Sequence, residues 1–354
     1  MIKYLGSKRM LLRPIVAAAT ALGARTALDL FSGTSRVGHA LKGAGLHVTA
    51  NDHLAYAATL ARCYVQADAD RWREPAQRLL DELSRVEPRP GYFTRTFCEE
   101  ARFFQPHNGA RIDAIRTAIA ERQLEPELEA IALTSLMEAA DRVDSTAGVQ
   151  MAFLKKWAAR AHKPLELRVP AFLPGEGRAL QLEAVEAAGA VEADVAYLDP
   201  PYNQHSYMGN YHIWETLVRW DAPEAYGVAQ KRVHCRQYAS DFNRKRRIHD
   251  ALAAVVGALR CRHLVVSFND EGHVNREDME ALLAERGHVA VVGVDFKRYV
   301  GAQIGIHDPS GKRVGRVSHL RNTEYLFVVS PERRALDRAR RAVEASLGAR
   351  LAAS

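Results

Sequence analysis

The chain is poor in cysteine. Its four, Cys63, Cys98, Cys235 and Cys261, include no CxxC pair. That spacing indicates neither a zinc site nor a disulfide framework, and reduced thiols of a cytoplasmic protein are the plain reading. Long apolar runs are also lacking. One stretch, PIVAAATALGA, follows Lys3, Lys8, Arg9 and Arg13 and has the outline of a signal-peptide core. It is read instead as a short helix from near Pro14 to near Gly23, because a strand and a turn begin a few residues later. No run is long enough to cross a bilayer, so no membrane association is expected. Internal repeats and low-complexity tracts are absent. Acidic charge is in deficit, with 42 Asp and Glu against 49 Lys and Arg, for a formal net charge of +7. A polyanionic partner is compatible with that balance but not required by it.

What is present is enough apolar material for a substantial core, 47% of 354 residues, in one large domain or two. TALDLF (26–31) reads as a buried strand that runs into a Ser32-Gly33 turn. VGHALKGAG reads as a helix stopped at Gly43 and Gly45, and LHVTAND as a second strand with Asp52 at its end. Strand, glycine turn, helix, strand and acid make one crossover unit of an open α/β sheet. Residues 54–165 are mostly helical in pattern and suggest an insert. Strands return at DVAYLDPPY, HLVVSF (263–268), HVAVVGVDF (288–296) and TEYLFVV (323–329). The last two form an expected antiparallel pair. Residues 305–322 read as a Gly-rich basic loop or hairpin, and the tail as an Arg-rich amphipathic helix that tracks phosphate, packs on the core or joins a dimer.

Two motifs carry chemistry. The DLFSGTSRVG turn stands where such sheets bind nucleotide-like ligands. Gly33 permits close backbone approach, and Asp52 is placed to accept from a ribose. The turn is not GxGxxG, so alone it is a weak signal. DPPY (199–202) is more specific. Both prolines lack an N–H and fix φ, so the loop after the strand is stiff. The Asp199 carboxylate and the Pro200 carbonyl can accept the two N–H groups of an exocyclic base amine. That localises the nitrogen lone pair for attack on an electrophilic methyl group. Tyr202 offers a flat face for a base taken out of its helix.

FxG at a first strand, ND at a second and DPPY at a fourth resemble S-adenosylmethionine-dependent adenine-N6 DNA methyltransferases. YLGSK at residues 4–8 is similar to the N-terminal signature of their Dam-like branch. There the cofactor motif precedes DPPY, and the target-recognition region lies between them. GYFTRTFCEEARFFQPHNGARIDAIR, LMEAADRVDSTAGVQMAFLKKW, NYHIWETL, SFNDEG and TEYLFVV extend the likeness to about residue 330. The resemblance implies a Rossmann-like α/β methyltransferase sheet with helices on both faces and an antiparallel C-terminal strand pair. It implies a catalytic domain at 1–68 and 176–330, a helical target-recognition insert at 69–175, and a basic helix at 331–354. Tyr4, Lys8, Asp29, Phe31, Gly33, Asp52 and Asp199 are the implied cofactor residues, with Lys8 near the cofactor carboxylate. Asp199, Pro200, Pro201 and Tyr202 are the implied catalytic loop. One departure is FSGTS in place of FxGxG. Ser35 holds the second glycine position, and Gly38 is expected to give the close approach instead.

The implied partner is double-stranded DNA; whether a cognate restriction endonuclease accompanies the chain is open, as are monomer and dimer. The window AQKRVHCRQYASDFNRKRRIH (229–249) interleaves Tyr238 and Phe242 with basic residues. Lys231, Arg232, Arg236, Arg244, Lys245, Arg246 and Arg247 are its candidate phosphate contacts. His234 and His249 sit in the same basic surroundings, where a solvated or phosphate-facing role suits them better than metal ligation. Asn203, His205 and Tyr207 are candidates for contacts to the base or the strand it leaves. In the insert, Arg102, Asn108, Arg111 and Arg116 suit base edges by residue type, and they suit ordinary helix surfaces equally. The alternatives are an RNA base methyltransferase, a non-catalytic nucleic-acid-binding protein of the same fold, and a protein glutamine methyltransferase. The last favours Asn where this chain has Asp199.

Overall fold

The computed structural model of the chain describes residues 1–6, 8–204, 206–270, 272–297 and 321–351. His205, residues 305–320 of the Gly-rich loop and the last three residues lie outside them. Seven strands form one sheet: β1 (Thr26–Asp29), β2 (His47–Asn51), β3 (Arg178–Leu180), β4 (Glu192–Leu198), β7 (Arg260–Asn269), β8 (His288–Lys297) and β9 (Arg321–Ser330). A separate small hairpin joins β5 (Ala225–Tyr226) to β6 (Lys231–Arg232). The sheet order is β3-β2-β1-β4-β7-β9-β8. Pairing is parallel from β3 to β7 and antiparallel for β7–β9 and β8–β9. The expected antiparallel C-terminal pair is therefore present.

Alternation along the strands decides which side chains face which helices. Ala27, Val195, Tyr197, Val265, Leu326 and Val328 point to one side, where they pack with Leu11, Ile15, Leu336 and Val343. Leu28, Ala196, Leu198, Leu264, Val266, Phe327 and Val329 point to the other, against Ile248, Leu252, Val255 and Leu283. Both faces are thus covered by helices, as a mostly parallel sheet requires. Helix Arg333–Leu351 is one of the covering elements: Ala335, Leu336, Ala339 and Val343 are buried in the first of these clusters. Of the three tasks open to the basic tail, packing on the core is the one seen.

The helical region has its own apolar cluster, with Trp72, Phe93, Phe97, Ile115 and Leu136 among its members. Tyr56 and Leu60 before the insert belong to it, and so do Ile213 and Trp214 after the DPPY loop. Asp113 organises one corner by accepting from the backbone N–H groups of Gly91, Phe93 and Thr94 and from the Thr94 hydroxyl.

β1 has a parallel neighbour on each side, β2 and β4, and the chain reaches them in opposite directions along the sheet. This is the switch point at which open α/β sheets leave a crevice. The turn that follows β1 is tight. Gly33 (φ 51°) and Ser35 (φ 57°) both occupy the left-handed region. Ser35 is fully buried, and its hydroxyl has no hydrogen-bond partner among the described residues. Gly38 serves a purpose other than the expected one. Its N–H donates to Asp29 Oδ2 at 2.8 Å, and a Cβ there would lie 3.1 Å from that oxygen and 3.0 Å from Val65. The small residue therefore brings helix Arg36–Gly43 against β1, not the backbone against a ligand.

The left-handed strain at Ser35, together with its orphaned hydroxyl, outweighs the extra chain entropy of glycine. Ser35→Gly is expected to stabilise the fold by about 1 kcal/mol, read as a rise of a few degrees in thermal melting. A lower melting temperature would mean the turn carries no such strain.

Candidate active site

The carboxyl ends of β1, β2 and β4 open into a cleft of about 870 Å³, part of it continuous with solvent. Tyr4, Lys8, Asp29, Phe31, Gly33, Asp52 and Asp199, drawn from four separate stretches of sequence, all line it. Tyr4 stacks against Tyr211 (4.6 Å between ring centroids) and Tyr207 (5.3 Å) and reaches the Tyr56 hydroxyl at 3.3 Å. Gly33 faces the same ring, and a Cβ there would lie 3.2 Å from it. Tyr4 is thus wedged between the glycine turn and the helix that follows DPPY.

Asp52 accepts from the N–H groups of Gly33 and Leu54, each at 3.0 Å. Burial nevertheless raises its pKa, against the pull of His53 and these donors. Asp29 is more exposed to that penalty. Its Oδ2 takes the Gly38 N–H, while its Oδ1 is buried without a partner among the described residues. Burial pushes its pKa to about 7, with the neighbouring Asp199 and Asp52 carboxylates adding to the rise. An orphaned, buried carboxylate oxygen on the wall of a cleft suits a cationic ligand.

Asp199 begins the DPPY loop. Its Oδ1 accepts from Ser267 Oγ at 3.2 Å and pairs with Lys8 Nζ at 3.1 Å. Ser267 is itself held by the Tyr197 hydroxyl at 2.7 Å. Burial raises the Asp199 pKa to about 6, with Lys8 opposing the rise. Lys8 is buried, and its ammonium also pairs with Glu324 of β9. Burial acts to lower the Lys8 pKa, but the Asp199 and Glu324 carboxylates outweigh it and hold it well above the usual value. Pro200 is buried, Pro201 lines the cleft, and Tyr202 packs edge-on to Phe268 at 5.6 Å.

The basic window divides. Arg244, Lys245, Arg246 and Arg247 are exposed in one run, with Arg244 and Arg247 near Asp241. Arg236 is exposed with its guanidinium over the Tyr226 ring. Lys231 is half-buried. Arg232 departs from the surface role expected of it. It is 2% exposed, pairs with Asp221 and bonds the Thr216 hydroxyl, so it clamps the β5–β6 hairpin to helix His212–Arg219. Tyr238 and Phe242 line the cleft and do not face outward with the basic residues. Tyr238 stacks on His53 at 4.9 Å, and Phe242 meets Phe31 edge-on at 5.2 Å. Asn203 accepts from the Asn243 side chain through its carbonyl, and Tyr207 also borders the cleft.

The four insert candidates have structural tasks. Asn108 is fully buried and bonds the backbone of residues 161, 163 and 165. Arg116 is buried and binds the Leu217 and Val218 carbonyls at a helix end. Arg111 holds the Ser84 and Val86 carbonyls. Arg102 bonds the Lys155 carbonyl and lies over Trp157.

Sequence reasoning missed Glu324, Ser267 and the inward role of Tyr238 and Phe242. A lone acid in the otherwise apolar TEYLFVV strand was the available signal for Glu324. Among the described residues there is no cluster of metal-ligating side chains, and no helix is long and apolar enough to cross a membrane.

Comparison with known proteins places this geometry. Residues 4–282 match the model of the D12 class N6 adenine-specific DNA methyltransferases. The type II methyltransferase M.NlaIII of Neisseria lactamica is 30% identical over 77% of this chain and 83% of its own length. The type II methyltransferase M.CviAII of Paramecium bursaria Chlorella virus 1 is 27% identical over 77% and 83%. The modification methylase StsI of Streptococcus sanguinis is 27% identical over 84% of this chain, which spans about half (48%) of that longer relative. The RNA, protein-glutamine and non-catalytic alternatives give way to this assignment. The chain belongs to the D12 class of N6 adenine-specific DNA methyltransferases.

Proposed function

We propose that the chain uses S-adenosylmethionine to methylate N6 of an adenine flipped out of duplex DNA, within a specific site. The observation that carries this reading is the meeting of the DPPY loop with the carboxylate-lined cleft at the β1–β4 switch point. The cleft's unpaired Asp29 oxygen and the Asp52 carboxylate suit a cationic, ribose-bearing ligand. Tyr4, Phe31 and Gly33 form the apolar and backbone wall, Asp52 is placed for the ribose hydroxyls, and the remaining Lys8 donor is available to a carboxylate. When bound, the cofactor supplies an electrophilic methyl group on a sulfonium and leaves as a neutral thioether.

The residues of the chain do the positioning. Asp199 and the Pro200 carbonyl accept the two N–H groups of the adenine amine and turn its lone pair toward the methyl group. As the N–C bond forms, the nitrogen gives up one proton, for which ionised Asp199 is the nearest acceptor. Tyr202 supplies a face for the base. Arg236, Lys231 and the exposed run Arg244–Arg247 track phosphate on the strands left behind, and residues 69–175 form the recognition region. Orientation and fixed charge provide most of the acceleration.

Four outcomes are expected. Asp199→Ala abolishes methyl incorporation into duplex DNA, by at least about a thousandfold, while the protein still folds. Retained activity would sink the mechanism. Because the ionised form of Asp199 is the acceptor and its pKa is raised to about 6, turnover is full above pH 7 and falls as pH drops through 6. A pH–rate profile that is flat down to pH 5 would contradict this. Removing Lys245 and Arg246 together, by Ala substitution, weakens DNA binding and lowers its logarithmic salt slope by roughly 1 to 2. Arg232→Ala instead lowers stability by about 2–3 kcal/mol, seen in denaturant melts, and leaves that slope in place.

A further inference from the structure

Glu324 stands opposite Asn269 in the β7–β9 register, at the end of the antiparallel pair nearest the cleft. One of its oxygens pairs with Lys8 Nζ, and the other accepts from Asn269 Nδ2 at 3.3 Å. Glu324, Lys8 and Asn269 are each less than a tenth exposed. Lys8 in turn reaches Asp199 Oδ1 at 3.1 Å, the oxygen that Ser267 also serves at 3.2 Å. The contacts to Asp199 described here all fall on Oδ1, so Oδ2 is the oxygen left for a substrate amine. The order in space is Glu324, Lys8, Asp199, with net charge −1 when all three are ionised. A buried lysine facing Asp199 alone would neutralise it and weaken it as an acceptor. A second carboxylate behind the lysine divides that charge.

We propose that Glu324 is a positioning residue for methyl transfer: it anchors Lys8 on the C-terminal strand pair and so sets the orientation and acceptor strength of Asp199. This rests on the DNA-methyltransferase reading and adds to it a residue that touches neither substrate nor cofactor. Other groups facing Asp199 are Asp29 from β1, Tyr197 from β4 and Tyr207 from the helix beyond the loop, besides Lys8 and Glu324, and Tyr202 faces Lys8. None of these changes when Glu324 alone is replaced.

The test compares wild type with Glu324→Gln, which keeps shape and hydrogen bonding but removes the charge. Two readouts are taken: the pH dependence of kcat on duplex DNA, and the titration of the Asp199 carboxyl by ¹³C NMR in Asp-labelled protein, assigned with Asp199→Asn. In Glu324→Gln, Lys8 acts on Asp199 undivided. The Asp199 titration and the acid limb of kcat therefore move down by about half a pH unit or more. On the same grounds kcat at pH 8 falls about tenfold, while KM for DNA stays within twofold. Glu324→Asp, which keeps the charge, restores the wild-type titration and most of kcat. An unmoved titration in Glu324→Gln, or a kcat within twofold of wild type, overturns the proposal. If Glu324→Gln does not fold, the double variant Lys8→Met with Glu324→Met carries the test. There the titration must move up, and no movement overturns the proposal. A wild type that methylates no DNA defeats the functional reading instead, and the NMR titration still decides this inference.

Discussion

Four carboxylates, Asp29, Asp52, Asp199 and Glu324, converge at one end of the sheet, with the Lys8 ammonium buried among them. Bringing so much negative charge out of water is the constraint on which the rest of this end of the molecule depends. Each acid is met by a different device. Asp52 takes the backbone N–H of Gly33 in the glycine turn and that of Leu54, and Asp29 takes the N–H of Gly38. Asp199 and Glu324 share Lys8. What is left over, at Asp29 Oδ1, is the requirement that a cationic ligand meets.

Placing Lys8 in turn requires the N-terminal segment to be fixed with care. Lys3 binds Asp141 and Asp144, and the Leu5 N–H donates to the Tyr211 hydroxyl. Tyr4 is stacked against Tyr207 and Tyr211. The helical region therefore helps to fix the N-terminal segment. Its end at residues 141–144 holds one side of the N-terminal segment, and the helix after DPPY holds the other. Lys8 then reaches across to β4 and β9. Two elements far apart in sequence, residues 3–8 and residue 324, meet beside Asp199, which begins the DPPY loop.

Much of this was legible in the sequence for a physical reason. Strand alternation and glycine punctuation are local signals, so β1, β2, β4 and the β8–β9 pair could be read directly. DPPY and the ND acid carried the chemistry in residue type alone. The less legible parts depended on which side of an element a residue faces. Arg232 reads as one more cation in a basic window, yet Asp221 and Thr216 draw it inward. Asn108 and Arg116 suit base edges and helix surfaces equally by residue type, yet Asn108 is drawn to loop backbone inside the insert and Arg116 to carbonyls at the end of helix His212–Arg219. Ser35 reads as a lost glycine, and the turn keeps the glycine conformation regardless. Glu324 lies within a strand legible in the sequence, but its partners follow only from standing opposite Asn269 of β7 and within reach of Lys8.

The segment from Tyr238 to Arg247 shows how one stretch can carry two kinds of signal. Its two aromatic residues and the basic run that follows them lie within ten residues, and a single sequence suggests one mixed surface. In space they separate. Tyr238 and Phe242 turn in to His53 and Phe31 on the wall of the cleft, and the run Arg244–Arg247 turns out to solvent. Asn243, between the two sets, donates to the carbonyl of Asn203 just beyond the DPPY loop. The outer basic face is therefore only one or two residues from contacts with Asn203 beyond the DPPY loop and with Phe31 on the cleft wall. A backbone shift of the outer run large enough to break the Asn243 bond would also move Phe242 against Phe31. Short covalent distance, more than any through-space charge, ties the surface to the chemistry at the bottom of the cleft.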